Sequence, residues 1–228
     1  MSDVTMITEI KGVLFDLDGT LLDTLGDLAE AMNFALRRNG LPIHPVDTYR
    51  SFVGDGLEML VQRAVAPIKD EKVIKNCLAE FQKRYALCWN RTTAPYHGIE
   101  AMLDELESGR LFLGVLSNKP HMMTSEVVRH FFAERHFTVC MGHGIFPRKP
   151  DPAAALYITS VMGISPANCL YVGDSGIDMA TAQAAGMPSA GVLWGFRGEQ
   201  ELREKGACWI VESPVEVVEI VRCSNAVV

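Results

Sequence analysis

Asp16 and Asp18, in the stretch FDLDGTLLDT that runs from Phe15 to Thr24, stand two residues apart with Gly19 directly behind them. If the apolar run KGVLF is a strand that stays extended through Leu17, the two carboxylates point to the same side. Two unpaired carboxylates that close repel, and one loses its charge unless a cation sits between them. A hard ion such as Mg2+ meets that need with few protein carboxylates, completing its shell with oxygens of a substrate phosphate. A calcium loop of the EF-hand kind is excluded. Begun at Asp16, it requires an acidic or amide residue at its fifth place and glycine at its sixth, where Thr20 and Leu21 stand. Aspartate and glycine also favour turns for local reasons, so this stretch alone leaves an ordinary polar turn open.

Three further clusters could join it. In GVLSNKP, Ser117 and Asn118 fall at a strand end, where a hydroxyl and free main-chain N–H groups can hold an anion or can cap a helix. In RKPDP, Lys149 sits between charged and proline neighbours, a place that by itself suits a solvated lysine. In YVGDSGIDM, Asp174 ends an apolar strand and Asp178 follows at the start of a helix. That pair repeats the charge problem of the first, and one divalent cation shared between the two clusters answers both.

The elements that must position these residues follow from the apolar pattern. GVLFDLDGT, LFLGVLSNKP, CLYVGDSG, SAGVLWG and CWIVESP each begin with a short run that is apolar throughout rather than alternating. Such runs suit strands of a parallel sheet buried on both faces, joined by crossover helices. The fold expected is α/β, a Rossmann-like parallel sheet core in which ligands bind beyond the carboxyl ends of the strands. The polar clusters sit at those ends. Between Asp23 and Pro95 the alternation stops, and helical stretches follow one another without a convincing strand. LGDLAEAMNFALRRNG puts Leu28, Ala31, Met32, Ala35 and Leu36 on one face. The reading is an inserted all-helical domain over 24–95, with 1–23 and 96–228 forming the core. Within it, Gly54 and Gly56 flank Asp55 just before GLEMLVQRAVA, so this loop could bring main-chain N–H groups to a ligand, or could be a plain helix start capped by Asp55.

Bulk properties narrow the classes. The 228 residues are 48% hydrophobic and 21% charged, a globular composition. A formal net charge of −7 argues against a nucleic-acid partner, because phosphate backbones recruit basic surfaces. Six cysteines lie apart without a C-x-x-C pair, matching neither a zinc site nor a disulfide framework and suiting reduced thiols in the cytoplasm. MSDVTMITEI lacks a basic region followed by an apolar one, so no secretory signal is read, and no apolar run reaches membrane-spanning length.

The order D-x-D-G-T, S-N, K-P, G-D-S-x-x-D resembles the haloacid dehalogenase superfamily of phosphotransferases, and the helical insertion after the first motif resembles that superfamily's mobile cap. DLAEAMNFALRRNGLP, VGDGLEMLVQRA, SNKP, RKPDP and GVLWGFRGEQEL resemble phosphoglycolate phosphatases and close relatives, so that the likeness covers nearly the whole chain. The resemblance implies a Mg2+-dependent phosphatase acting on a small phosphorylated metabolite, 2-phosphoglycolate first, through an aspartyl-phosphate intermediate. It also admits a sugar phosphomutase, a pyrophosphatase or a nucleotidase, or a relative that only binds a phosphorylated ligand. A monomer or a homodimer is expected. Carried over by residue, Asp16 is the nucleophile and Asp18 the general acid and base, with Thr20 positioning Asp18. Ser117 and the Asn118 main chain hold phosphoryl oxygens, Lys149 neutralises phosphate and nucleophile, and Gly54, Asp55 and Gly56 cover the organic part of the substrate. Asp174 binds Mg2+ with Asp16 and the Asp18 carbonyl, and Asp178 completes the metal set from behind. Three places depart from the family pattern: Gly26 and His97, near the two cap connections where proline is common, and the GHG of Gly142 to Gly144, which lacks an acidic residue before K-P. His97 is expected to be structural rather than a base, and Trp194 and Phe196 to be packing residues.

Overall fold

The computed structural model describes residues 9–226; residues 1–8 and 227–228, which belong to the expected core segments and carry the N-terminal stretch read above, lie outside the described residues. The chain starts with β1 (Gly12–Phe15), β2 (Leu22–Asp23) and α1 (Leu25–Arg38). The helices α2 (Leu57–Val65) and α3 (Glu71–Tyr85) follow, then β3 (Ala94–Pro95) and α4 (Ile99–Ser108). After these the alternation is regular: β4 (Phe112–Pro120), α5 (His121–Phe131), β5 (Phe137–His143), α6 (Ala153–Met162), β6 (Cys169–Gly173) and α7 (Gly176–Ala185). The chain closes with β7 (Ser189–Val192), α8 (Glu199–Glu204), β8 (Trp209–Val211) and α9 (Pro214–Ala226).

Six strands form one parallel sheet in the order β5-β4-β1-β6-β7-β8. β1 is central, and Val13, Leu14 and Phe15 are wholly buried. Helices cover both faces, which is why these runs are apolar without alternation. Burying each such side chain is worth about 1.5–3 kcal/mol, so the strand that leads into Asp16 is firmly set. All five strands read from the sequence are present. The sixth, β5, was not read as one: it is an edge strand paired only with β4, its side chains are mostly half-buried, and glycine interrupts its end.

The insertion between β2 and β3 is helical as expected, with a 3-10 turn at Val46–Ser51 between α1 and α2. Its root differs from the expectation. Leu22 and Asp23 pair antiparallel with Pro95 and Ala94, a two-residue ribbon too short to leave a pattern. Asp27 locks this root. Its buried carboxylate accepts hydrogen bonds from the main-chain N–H groups of Arg91, Thr92 and Thr93 and from the hydroxyls of Thr92 and Thr93. Burial works against its charge, but these donors outweigh it and hold its pKa below the ordinary aspartate value. Gly26 has a cause here as well, since a Cβ at that position would lie 2.6 Å from the Thr92 hydroxyl. Its departure from proline is a close approach of the two root segments.

Asp27→Asn is expected to cost about 2–4 kcal/mol, since an amide turns N–H groups towards five donors. Because the folded pKa is depressed, the contribution is full at neutral pH and is lost as the pH falls below about 4. Urea denaturation of both proteins across that range checks this, and the gap between them should close on the acid side.

Candidate active site

The central place of β1 between β4 and β6 brings the separate motifs together, because all three strands run parallel and end on one side. Asp16 follows the last residue of β1, Ser117 and Asn118 lie in the second half of β4, and Asp174 follows β6. Lys149, from the segment between β5 and α6, places its Nζ 2.8 Å from Asp16 Oδ1 and 2.7 Å from Asp178 Oδ1. Asp178 is fixed in turn: its Oδ2 accepts from the Ser175 hydroxyl at 2.6 Å and the Ser175 N–H at 3.1 Å, a capping box at the start of α7. Asp174 Oδ2 accepts the main-chain N–H of Phe196 at 2.8 Å, and its Oδ1 accepts the Thr20 hydroxyl at 3.3 Å.

Asp16, Asp174 and Asp178 are all buried, and each offers an oxygen within 4.8 Å of the others. Burial pushes the Asp16 carboxyl well above the ordinary value and the Asp178 charge adds to this, with Lys149 pulling the other way. Asp174 is pushed up to about 7, by burial first and then by Asp178, against the pull of the Phe196 N–H and Lys149. One ammonium among three carboxylates leaves a deficit of positive charge that a hard divalent cation would fill, and an all-oxygen donor set fits Mg2+. Asp178 is the most heavily engaged of the three, since its oxygens already take the Lys149 ammonium, the Tyr171 hydroxyl and both the N–H and hydroxyl of Ser175.

Above the strand ends lies a cavity whose floor is Asp16, Asp18, Ser117, Asn118 and Lys119. Its roof belongs to the insertion: Gly54, Gly56 and the apolar side chains of Leu28, Val53, Leu57 and Leu60. Gly54 (φ 117) and Gly56 (φ 89) take left-handed conformations that let the main chain bend over the floor. The roof is tied down by Asn118, whose Nδ2 donates to the Gly54 carbonyl at 3.0 Å, by Arg197 on the Val53 carbonyl at 2.8 Å, and by Arg50 on the Gly195 carbonyl at 2.8 Å.

Several expectations are refined by this geometry. Asp55 is not on the cavity wall and does not cap α2; its carboxylate turns back to Arg63, 2.6 Å away. Thr20 contacts Asp174 rather than Asp18. The group on Asp18 is Lys119, whose Nζ lies 2.8 Å from Asp18 Oδ1 and 2.9 Å from the Tyr85 hydroxyl. Lys119 stands one residue beyond the asparagine of SNKP, but strand alternation gives no sign that an ammonium there is buried. Trp194 and Phe196 do more than pack: the Trp194 indole N–H donates to the Thr20 carbonyl at 2.9 Å, so the loop after β7 encloses the acid cluster from the side. His97 is exposed and lies in a separate groove with Tyr96 and Trp194, away from the cavity.

Comparison with known proteins places this arrangement. Residues 13–192 match the family model of haloacid dehalogenase-like hydrolases. A phosphoglycolate phosphatase of Xanthomonas campestris is 33% identical over 92% of this chain and 95% of its own length. Its counterpart from Neisseria meningitidis is 33% identical over 93% and 94%. A crystal structure from Lactobacillus delbrueckii subsp. bulgaricus has a TM-score of 0.89 at 30% identity, covering 94% of this chain and 99% of that one. That of a predicted phosphoglycolate phosphatase from Haemophilus somnus has a TM-score of 0.87 at 28% identity, with coverage of 93% and 98%.

Gly195 generates a sharp expectation. A Cβ there would lie 2.2 Å from the Asp174 Cβ and 2.4 Å from the Gly19 carbonyl, neither of which can yield without moving the site. Gly195→Ala should therefore displace the 193–197 loop, cost about 1–3 kcal/mol of stability and remove most activity. Thermal unfolding together with an activity assay checks both.

Proposed function

The chain belongs to the haloacid dehalogenase-like hydrolases and is a phosphatase, a phosphoric monoester hydrolase, and we propose that it uses Asp16 and Mg2+ to hydrolyse a small phosphorylated acid, 2-phosphoglycolate first among the candidates. The observation that carries this reading is the buried Lys149 ammonium bridging Asp16 and Asp178, with Asp16 itself on the floor of a cavity that also holds Asp18, Ser117 and Asn118. A binding module has no use for a carboxylate of this kind beside a second acid. The relatives named above supply the substrate, since they carry the name phosphoglycolate phosphatase.

In this reading an Asp16 oxygen attacks phosphorus while Lys149, held by Asp178, offsets charge on the nucleophile and the transferring phosphoryl group. The bond from phosphorus to the leaving oxygen breaks, its electron pair stays with that oxygen, and Asp18 supplies the proton. The Ser117 hydroxyl and the Asn118 N–H hold phosphoryl oxygens. Asp18, now ionised, takes a proton from the water that attacks the aspartyl phosphate, releasing inorganic phosphate and restoring the Asp16 carboxylate. Mg2+ held by Asp16, Asp174 and the Asp18 carbonyl would supply further charge neutralisation at the transferring oxygens. Thr20, through its hydrogen bond to Asp174, would keep that ligand in place. Residues 24–95 act as a cap over a core made of 1–23 and 96–228. Gly54 and Gly56 close over the organic part of the substrate and exclude bulk water, while the phosphoryl group stays on the core.

A phosphate-release screen across small phosphorylated acids, sugars and nucleotides with Mg2+ present should give its highest kcat/KM on a short phosphorylated acid. Asp16→Asn should lower turnover by about a thousandfold or more. Chelator should silence the enzyme and Mg2+ restore it, with Ca2+ a poor substitute because it prefers more oxygens at longer distances and can take both of those on Asp16. Near wild-type turnover by purified Asp16→Asn, or full activity in excess chelator, would refute the mechanism.

A further inference from the structure

Asp18 lines the cavity as a half-buried side chain, and its two oxygens are not equivalent. Oδ1 accepts from Lys119 Nζ at 2.8 Å, whereas Oδ2 has no hydrogen-bond partner among the described residues. A group that gives a proton to a leaving oxygen must present one oxygen within hydrogen-bond reach and hold it there. Pinning Oδ1 leaves Oδ2 for that task. The pin is a lysine, whose four-carbon stem is flexible unless its far end is also held.

What holds it comes from the insertion. Lys119 Nζ donates to the Tyr85 hydroxyl at 2.9 Å and lies 5.1 Å from the centre of that ring. Tyr85 is the last residue of α3, is fully buried, and stacks on Phe81 with ring centres 5.5 Å apart and planes 11° from parallel. The preceding residue, Arg84, is tied to Glu30 of α1 at 2.6 Å. The tyrosine is therefore a rigid peg. Burial opposes the charge on Lys119, but Asp18 and Tyr85 together overcome this and raise its pKa above the ordinary lysine value. The ties across the interface from Asn118, Arg197 and Arg50 end on main-chain carbonyls, that from Arg148 ends on the Glu58 carboxylate, and none of them touches Asp18.

We propose that Tyr85 is a positioning residue which, through Lys119, orients Asp18 and so makes proton transfer to the leaving group depend on docking of the helical insertion. Asp18 and Lys119 stand on the sheet side and Tyr85 on the insertion, so the three-membered chain is complete only when the two parts meet. The inference rests on the phosphatase reading with Asp16 as nucleophile and Asp18 as acid. It assigns the contact by which the chemistry senses the roof, a task that neither the Gly54 to Gly56 loop nor the phosphate-holding residues perform.

The leaving group separates this role from general support of the fold. An alkyl phosphate must leave as an alcohol, its oxygen taking the Asp18 proton as the bond to phosphorus breaks. Acetyl phosphate is equally small but leaves as acetate, which needs no proton. The measurement is kcat/KM, which reports transfer to Asp16, for acetyl phosphate and for the best alkyl phosphomonoester of the substrate screen, on wild type, Tyr85→Phe and Lys119→Met. Tyr85→Phe keeps the ring stack and removes only the hydroxyl. It should lose about tenfold on the alkyl ester and less than about twofold on acetyl phosphate; Lys119→Met should show the same split with a larger loss, about a hundredfold. Should Tyr85→Phe fail to fold by circular dichroism, Lys119→Met carries the same comparison. Equal losses on both substrates, or no loss on the alkyl ester, overturn the proposal. Asp16→Asn, run alongside, tells the two readings apart: if it is dead on both substrates and the split is absent, the relay alone is refuted. If it still turns over both, the phosphatase mechanism falls and the relay with it.

Discussion

Four carboxylates crowd the carboxyl ends of three adjacent strands, and the rest of the structure depends on how their charge is met. Asp16, Asp174 and Asp178 are almost wholly out of solvent, where like charges a few ångströms apart cannot all stay ionised unless cations are supplied. Lys149 answers the pair on one side and Lys119 answers Asp18 on the other, so each lysine is buried yet carries a charge held in place by acids. The remaining imbalance lies around Asp16 and Asp174. In the proposed reading, a divalent cation would answer that imbalance and, through it, hold a dianionic phosphoryl group.

Holding such a cluster requires a rigid frame on every side. The parallel sheet provides the floor, because β1, β4 and β6 are buried on both faces and in register through Phe15, Val115 and Val172. The loop after β7 provides one wall: the Phe196 N–H satisfies Asp174, and glycine at 195 lets main chain touch main chain. The insertion provides the roof, and Asp27 fastens its root by gathering the three residues that lead into β3. Support and chemistry thus share residues. Asn118 accepts the Lys149 N–H at 2.9 Å and donates to the Gly54 carbonyl at 3.0 Å, joining the cavity floor, the lysine segment and the roof through one amide.

The pattern of short, uninterrupted apolar runs followed by polar clusters was enough to read a parallel α/β sheet, because burial on both faces removes alternation in a way no exposed strand can imitate. Likewise the amphipathic periods of α1 to α3 announced a helical insertion. β5 and the two-residue ribbon escaped that reading for physical reasons. The first is an edge strand whose half-exposed side chains carry little periodic signal, and the second is too short to have a period at all. Of the candidate site, Asp16, Asp18, Ser117, Asn118, Asp174 and Asp178 stood out in the sequence, since each lies at a strand end or a helix start near glycine, serine or proline; Lys149, in the loop between β5 and α6, was marked only by the resemblance.

Lys119, Tyr85, Gly195 and Asp27 were not legible, and they share a property: each does its work through a partner far away in the chain. Lys119 meets Asp18 across 101 positions and Tyr85 across 34, and Asp27 meets Thr93 across 66. Local sequence can place a carboxylate at the end of a strand, because that depends on propensity and burial over a few residues. Which lysine reaches which oxygen, whether Asp55 looks into the cavity or back at Arg63, and whether Thr20 serves Asp18 or Asp174 depend on the docking of separate elements to within an ångström. The composition and order of the motifs determined the fold class and the kind of chemistry. The pairing of charges inside the crevice was decided only by tertiary packing, because an ion pair is set by distance in space and a sequence records distance along the chain.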